Sequence, residues 1–265
     1  MSELTITLPD GSTRVLPEGA TGADLAADIG PGLARAALTV TVDGDGRDLN
    51  RVLPDGCSVS IVTADSDDGL HTIRHSTAHV LAQAVLDLWS GATYAIGPPI
   101  EHGFYYDFEL PGGATFSNDD LEAIEARMRE VIEADQAFER HEADAGEALD
   151  LFAGHRYKRE IIEQVTSGAA SGEMAGEAST DSSVTYYRNG DGFIDLCLGP
   201  HVPSTGRLGH FALQKVAGAY WRGDEKQPML QRIYGTAWAD KKALEAHLHR
   251  LVEAEKRDHR RLAAE

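Results

Sequence analysis

The chain has 265 residues, 42% hydrophobic and 25% charged, and its 24 Lys and Arg face 43 Asp and Glu for a net charge of −19. That apolar content excludes disorder throughout, and at roughly 150 residues per domain the length accommodates one or two cores. The acidity excludes a general nucleic-acid coat, because phosphate binding needs clustered Lys and Arg, but it leaves room for a local basic patch.

Met1-Ser2-Glu3-Leu4-Thr5-Ile6 lacks the basic start and apolar run of an export signal. No apolar stretch reaches the roughly 18 residues of a membrane span. No membrane partner is therefore expected. Cys57 and Cys197 make no disulfide framework, so a reducing cytoplasm is the expected location.

In chain order, Leu4, Ile6 and Leu8 alternate with threonines as in a half-buried strand. Pro9-Asp10-Gly11 is turn chemistry, and Val15-Leu16 marks a second strand. Thr21 is placed to cap a short helix with Leu25 and Ile29 on one face, stopped by Pro31-Gly32. Leu38, Val40 and Val42 alternate before the Asp43-Gly44 turn, and Val59 and Ile61 give a last strand. This ββαββ order predicts a small ubiquitin-like β-grasp domain over residues 1–64. The polar break Asp65-Ser66-Asp67-Asp68-Gly69 separates it from a larger α+β domain, expected over 65–239, with an antiparallel sheet and packed helices.

The larger part opens with a helix from Leu70 to Trp89, closed by Gly91. Gly103–Leu110, rich in aromatics, reads as a strand. Ser117 and Asp120 resemble a capping box, and Leu121, Ile124, Met128, Val131 and Ile132 extend an amphipathic helix to about Asp135. Further helices are expected at Ala145–Phe152 and Tyr157–Val165. A Gly, Ala and Ser-rich flexible loop follows over Thr166–Ser183. Strands are expected at Val184–Arg188, Phe193–Leu196, Phe211–Lys215 and Leu230–Tyr234. A final tether or surface helix is expected within 240–265, from Asp240 to about Ala263 on a Leu244, Leu248, Leu251 seam.

Two pairs of residues carry the chemistry. His75 and His79 are four apart on a predicted helix, which stacks both imidazoles on one face. Cys197 and His201 are also four apart, in Asp195-Leu196-Cys197-Leu198-Gly199-Pro200-His201 at a strand end. The four are plausible zinc ligands and equally plausible as a metal-free set around a water. Lys158 lies in the basic run His155-Arg156-Tyr157-Lys158-Arg159 and is read either as a solvated helix start or as a contact for phosphate or a carbonyl oxygen. Tyr106 is either a core tyrosine or a hydroxyl aimed into a cleft. Trp221-Arg222-Gly223-Asp224 is a substrate edge or a turn.

His75-Ser76-Thr77-Ala78-His79, Gly103-Phe104-Tyr105-Tyr106-Asp107, Asp195 through Pro203, Ala217 through Asp224 and Met229 through Trp238 closely resemble the second domain of bacterial threonyl-tRNA synthetases. The first 64 residues resemble the TGS module that precedes it. The resemblance implies an editing module that hydrolyses mischarged seryl-tRNA(Thr) at the ester of its 3′ end. By motif match it places His75, His79, Tyr106, Lys158, Asp195, Cys197 and His201 in the editing cleft. The implied roles are His75 as base, Lys158 as charge stabiliser, and Cys197, His201 and His79 as water-positioning groups. Asp195 would recognise the substrate amine, with Tyr106 and Arg222 beside the substrate. Leu198 stands where relatives often carry a charge, and 166–183 matches poorly.

Residue Glu265 falls where the family's ATP-dependent core would begin. A fragment is therefore expected, with the catalytic and anticodon-binding domains of the parent synthetase as its missing partners. The implied partner nucleic acid is the 3′ end of tRNA(Thr) carrying serine, and no cofactor is required. Two rival readings remain. One is a zinc-dependent hydrolase using the His/Cys cluster. The other is a non-catalytic RNA-binding or regulatory module built around the TGS part.

Overall fold

The computed structural model describes residues 2–168 and 183–262. The chain begins with a hairpin of β1 (Glu3–Thr7) and β2 (Thr13–Pro17), then α1 (Gly22–Ile29) and α2 (Pro31–Ala36). β3 (Ala37–Val42), β4 (Asp45–Asp48) and β5 (Val59–Thr63) follow. The antiparallel sheet β4-β3-β5 continues toward the hairpin through a parallel bridge between Thr7 and Ser58, which gives the β-grasp arrangement. Thr21 caps α1 with a complete capping box to Asp24. Leu25 and Ala26 of α1 are fully buried in a core with Leu4, Ile6, Val40 and Val42. Pro31-Gly32 does not simply stop the chain's helical course. Gly30 ends α1, and Pro31 then opens α2 at a first-turn position, where its missing N–H costs nothing. β4 was not legible as a strand because its four residues are all polar or glycine.

The rest of the described chain is α+β with two further antiparallel sheets. α3 (Asp67–Leu88) is capped by Ser66, and Gly69 lies so close to the end of β5 that an added Cβ would sit 1.9 Å from the Thr63 carbonyl oxygen. The helix is buried on nearly all sides. After it come β6 (Thr93–Tyr94), β7 (Pro99–Ile100), β8 (Gly103–Glu109), α4 (Asn118–Glu133) and β9 (Phe138–Asp144). Next are α5 (Ala145–Leu151), α6 (Arg156–Thr166), β10 (Ser183–Asn189) and β11 (Phe193–Leu196). β12 (Phe211–Tyr220), β13 (Met229–Ala237) and α7 (Lys241–Leu262) complete the chain.

One sheet runs β12-β13-β8-β6 with β7 alongside β8, and the other runs β11-β10-β9. α3 packs against β8, β13 and α4, and also against β3 and β5 of the first part. Both sheets share one core, which takes in Phe104, Phe108 and Ile233 together with Val184, Phe193 and Leu196.

β12 and β13 are longer than expected because they pair with each other from Phe211–Ala237 to Tyr220–Met229, through small residues such as Ala217, Gly218, Gly235 and Ala237 that carry no clear strand alternation. β9 was not foreseen, since its sequence Phe-Glu-Arg-His-Glu-Ala-Asp buries only Ala143. The flexible loop expected over 166–183 lies, for residues 169–182, outside the described residues, while Thr166 ends α6 and Ser183 begins β10. Among the described residues, no helix is long and apolar enough to cross a membrane.

Candidate active site

Three elements deliver the site. α3 stacks His75 over His79, with ring centroids 5.3 Å apart, as the four-residue spacing requires. β11 carries Asp195 to its end, and the turn that follows carries Cys197 and His201. α6 supplies Lys158 from its first turn. The donor atoms of His75, His79, Cys197 and His201 all lie within 4.8 Å of one another. Cys197 Sγ is 3.2 Å from His75 Nε2 and 3.3 Å from His201 Nε2, and it accepts the Gly199 N–H at 3.1 Å. Ser76 Oγ contacts His201 Nδ1 at 3.0 Å and accepts the Val202 N–H at 3.1 Å. Phe138 stacks on the His201 ring at 4.8 Å with an 8° interplanar angle. Gly199 is required twice: its φ is +77°, and an added Cβ would meet the Tyr187 hydroxyl at 2.0 Å.

Beside this cluster lies a buried charge network. Lys158 Nζ is 2.6 Å from Asp195 Oδ1, with both side chains essentially inaccessible. The Tyr106 hydroxyl donates to Asp195 Oδ2 at 2.5 Å, and His79 Nε2 approaches the same oxygen at 3.6 Å. The ammonium also lies over the rings of Tyr94 and Tyr106, at 5.1 and 5.6 Å from their centroids. A cation in the first turn of a helix opposes the helix dipole. Lys158 therefore adds nothing to α6 through its charge, and Asp195 is what offsets its burial. Burial pushes the Asp195 carboxyl up, and Lys158 and Tyr106 pull it back.

Burial likewise makes imidazolium unfavourable. It lowers His75 to about 3, helped by His71 and Lys158, and pushes His79 and His201 well below the usual histidine range. The three rings are therefore neutral near pH 7, and a neutral imidazole keeps one nitrogen lone pair able to accept a hydrogen bond or bind a cation.

His75, His79, Cys197, His201, Lys158, Asp195 and Tyr106 are thus brought together. Arg222 is engaged elsewhere, ion-paired with Glu160 at 2.5 Å beside the Trp221 indole. Leu198, in the turn between Cys197 and His201, is 40% exposed and carries no charge. Sequence reasoning did not single out Ser76, Tyr94, Phe138, Tyr187 or Asp48. Of these, Ser76 was within reach, since it sits between the two helix histidines in the quoted motif.

The four donors fit a metal such as zinc. Imidazole nitrogen and thiolate sulfur are both ligands that zinc takes, and Ser76 on His201 Nδ1 supplies the outer hydrogen bond that ligating histidines use. His79 Nδ1 is buried without a hydrogen bond among the described residues. The cluster can therefore hold an ion, and its donors are equally arranged to hold a water.

Comparison with known proteins follows the same division. Residues 4–63 match the TGS domain, and residues 184–234 match the family described as the threonyl and alanyl tRNA synthetase second additional domain. The second match contains Asp195, Cys197 and His201. The chain is 53% identical over 262 residues to the threonine–tRNA ligase of Maricaulis maris, covering 98% of this chain and 38% of that protein. It is 53% identical over 262 residues to the ligase of Acidithiobacillus ferrooxidans, with the same two coverages. It is 51% identical over 266 residues to that of Paramagnetospirillum magneticum, covering 99% of this chain and 39% of that protein. The chain spans about two fifths of the length of these relatives.

These matches support a tRNA synthetase editing module, with a TGS match followed by a second additional domain match. More particularly, the chain fits the N-terminal TGS and editing region of the bacterial threonine–tRNA ligases.

Proposed function

We propose that the chain hydrolyses seryl-tRNA(Thr), cleaving the ester between serine and the 3′-terminal ribose. The observation that carries this reading is the meeting of a buried Lys158–Asp195–Tyr106 network with three neutral histidines and Cys197 in one cluster. The need for a second pocket follows from physics. Serine and threonine differ by one methyl, which a binding pocket discriminates by only about 1–3 kcal/mol. A synthetic site selective for threonine therefore admits serine as an error, and a pocket too small for the methyl removes it.

The reaction requires a held water, a proton acceptor and stabilisation of the tetrahedral oxyanion. Cys197, His201 and His79 hold the water. His75, the most exposed of the three rings, accepts its proton. Burial makes the resulting imidazolium costly, and the oxyanion forming beside it offsets that cost. Asp195 binds the ammonium of serine, with Tyr106 fixing the carboxylate. That ammonium shares the carboxylate with Lys158 and frees the lysine charge to face the oxyanion. The hydroxide attacks the ester carbonyl carbon, and the tetrahedral intermediate collapses by breaking its bond to the ribose oxygen, which takes the proton back from His75 as serine leaves. Arg222, held by Glu160, is given no role. A metal held by His75, His79, Cys197 and His201 would supply Lewis acidity and a more acidic bound water.

The reading divides the chain into a TGS domain at 1–64, an editing domain at 65–239 and a linker helix at 240–265. Two separate hydrophobic cores support the first boundary. The test is serine release from seryl-tRNA(Thr). His75→Ala lowers it by ~10²-fold or more while leaving the fold intact; unchanged turnover removes His75 from the mechanism.

A further inference from the structure

Asp48 is the last residue of β4, in the small module, yet both its carboxylate oxygens are used by the candidate active site. Oδ1 accepts the backbone N–H of His201 at 2.9 Å, across 153 residues of sequence. Oδ2 accepts the hydroxyl of Tyr187 at 2.6 Å. The Tyr187 ring stands edge-on to the His201 imidazole, with centroids 4.5 Å apart, and its hydroxyl fills the space beside Gly199 that a Cβ would occupy. One carboxylate thus holds the Gly199–His201 turn from two sides, through its backbone and through the aromatic ring that walls it. No ion pair to Asp48 occurs among the described residues, so neither oxygen is diverted to a cation.

The platform beneath Asp48 is fixed. Leu38 of β3 is buried in the large core, α3 packs on β3 and β5, and Gly69 rests against the Thr63 carbonyl. Pro200 approaches Gly46 on the same strand as Asp48, 3.4 Å from where its Cβ would be.

We propose that Asp48 is a positioning residue for the editing reaction, so that the small module completes the active site by fixing the turn that presents Cys197 and His201. The proposal rests on the hydrolytic function given above. Its physical basis is the contact between Cys197 Sγ and His201 Nε2: a shift of the His201 backbone carries the imidazole off the thiol. Misplacement of a catalytic group by about 1 Å costs on the order of 10²-fold in rate.

The experiment compares Asp48→Ala and Asp48→Asn in the full chain. Asparagine keeps an oxygen for the His201 N–H, and its amide donates to the Tyr187 hydroxyl, which can turn to accept. Asp48→Ala is expected to lower kcat for serine release ~10-fold or more, with KM within about threefold, and Asp48→Asn to restore kcat to within about threefold of wild type. Amide hydrogen exchange gives a readout independent of turnover. In Asp48→Ala the His201 amide exchanges faster while α6, β12 and β13 keep their protection, and Asp48→Asn restores the His201 protection. Unchanged His201 exchange in Asp48→Ala overturns the proposal. So does an equal loss of kcat in both variants, or a loss of protection spread over the whole small module, which would make Asp48 a stability residue. A wild-type chain that releases no serine overturns the functional reading instead, and the exchange comparison still decides whether Asp48 holds the turn.

Discussion

Replacing Lys158 by Met probes the buried network most sharply. Lys158 and Asp195 have side-chain exposures of 0% and 1% and lie 2.6 Å apart. Removing one member of such a pair strands the other, at a cost of about 3–5 kcal/mol. A ceiling follows from protonation. The stranded carboxyl can take a proton, which costs about 1.4 kcal/mol for each pH unit above its ordinary 3.8, or roughly 5 kcal/mol at pH 7.5.

The sign of the pH dependence is then fixed. In the variant the folded state holds a proton that the unfolded chain has released, so the stability loss grows as pH rises and is roughly 3 kcal/mol smaller at pH 5.5 than at pH 7.5. The assay is urea unfolding of wild type, Lys158→Met, Asp195→Leu and the double variant at the two pH values, taking differences from wild type at each. The double variant, with no stranded charge, recovers part of the loss, giving a coupling energy of about 2 kcal/mol or more. A loss below about 1 kcal/mol, additive and independent of pH, would show that Asp195 does not depend on Lys158, and the network as described would be wrong.

Three other outcomes are expected. Gly97→Ala places a Cβ 2.0 Å from the Tyr106 ring, so it destabilises by about 1–3 kcal/mol and slows serine release by displacing the hydroxyl from Asp195. Gly32→Ala, in helix α2 with nothing within 4 Å of its Cβ, is the control that leaves turnover unchanged and does not lower thermal stability. Acid weakens the fold through the buried histidines: their folded forms stay neutral while the unfolded chain protonates at the ordinary 6.5, so stability is full above that pH and falls below it, by about 2 kcal/mol at pH 5 for His75 alone. Urea midpoints that do not decrease between pH 7 and pH 5 would contradict this. Serine release is expected to persist in chelator-treated protein verified metal-free by elemental analysis, and loss of activity with recovery on adding Zn²⁺ would shift the reaction to a metal-assisted one.

Much of the site was legible because short spacings became spatial facts. The four-residue intervals in His75–His79 and Cys197–His201 stacked rings on one helix face and folded one turn back on itself. Lys158 was harder, because it stands in a basic run whose Arg156 and Arg159 are exposed. A signal was present nonetheless: Lys158 falls in register with Ile161, Ile162 and Val165, the buried stripe of α6, and a lysine on that stripe points inward. Asp48 left no such trace. It sits in a polar four-residue strand, and its partners lie 139 and 153 residues away. In the fold, β4 and β9 escaped detection for the same reason, since edge strands carry little apolar alternation. The Pro31-Gly32 pair misled because Gly30 already ends the first helix and Pro31 opens the next one.

The central claim is selective hydrolysis, and the most direct test is deacylation of seryl-tRNA(Thr) and threonyl-tRNA(Thr) by this chain, measured side by side against the spontaneous rates. Serine is expected to be released faster than threonine by roughly 10–200-fold, the discrimination one methyl allows. Threonine released as fast as serine, or both lost only at the spontaneous rate, would contradict the account.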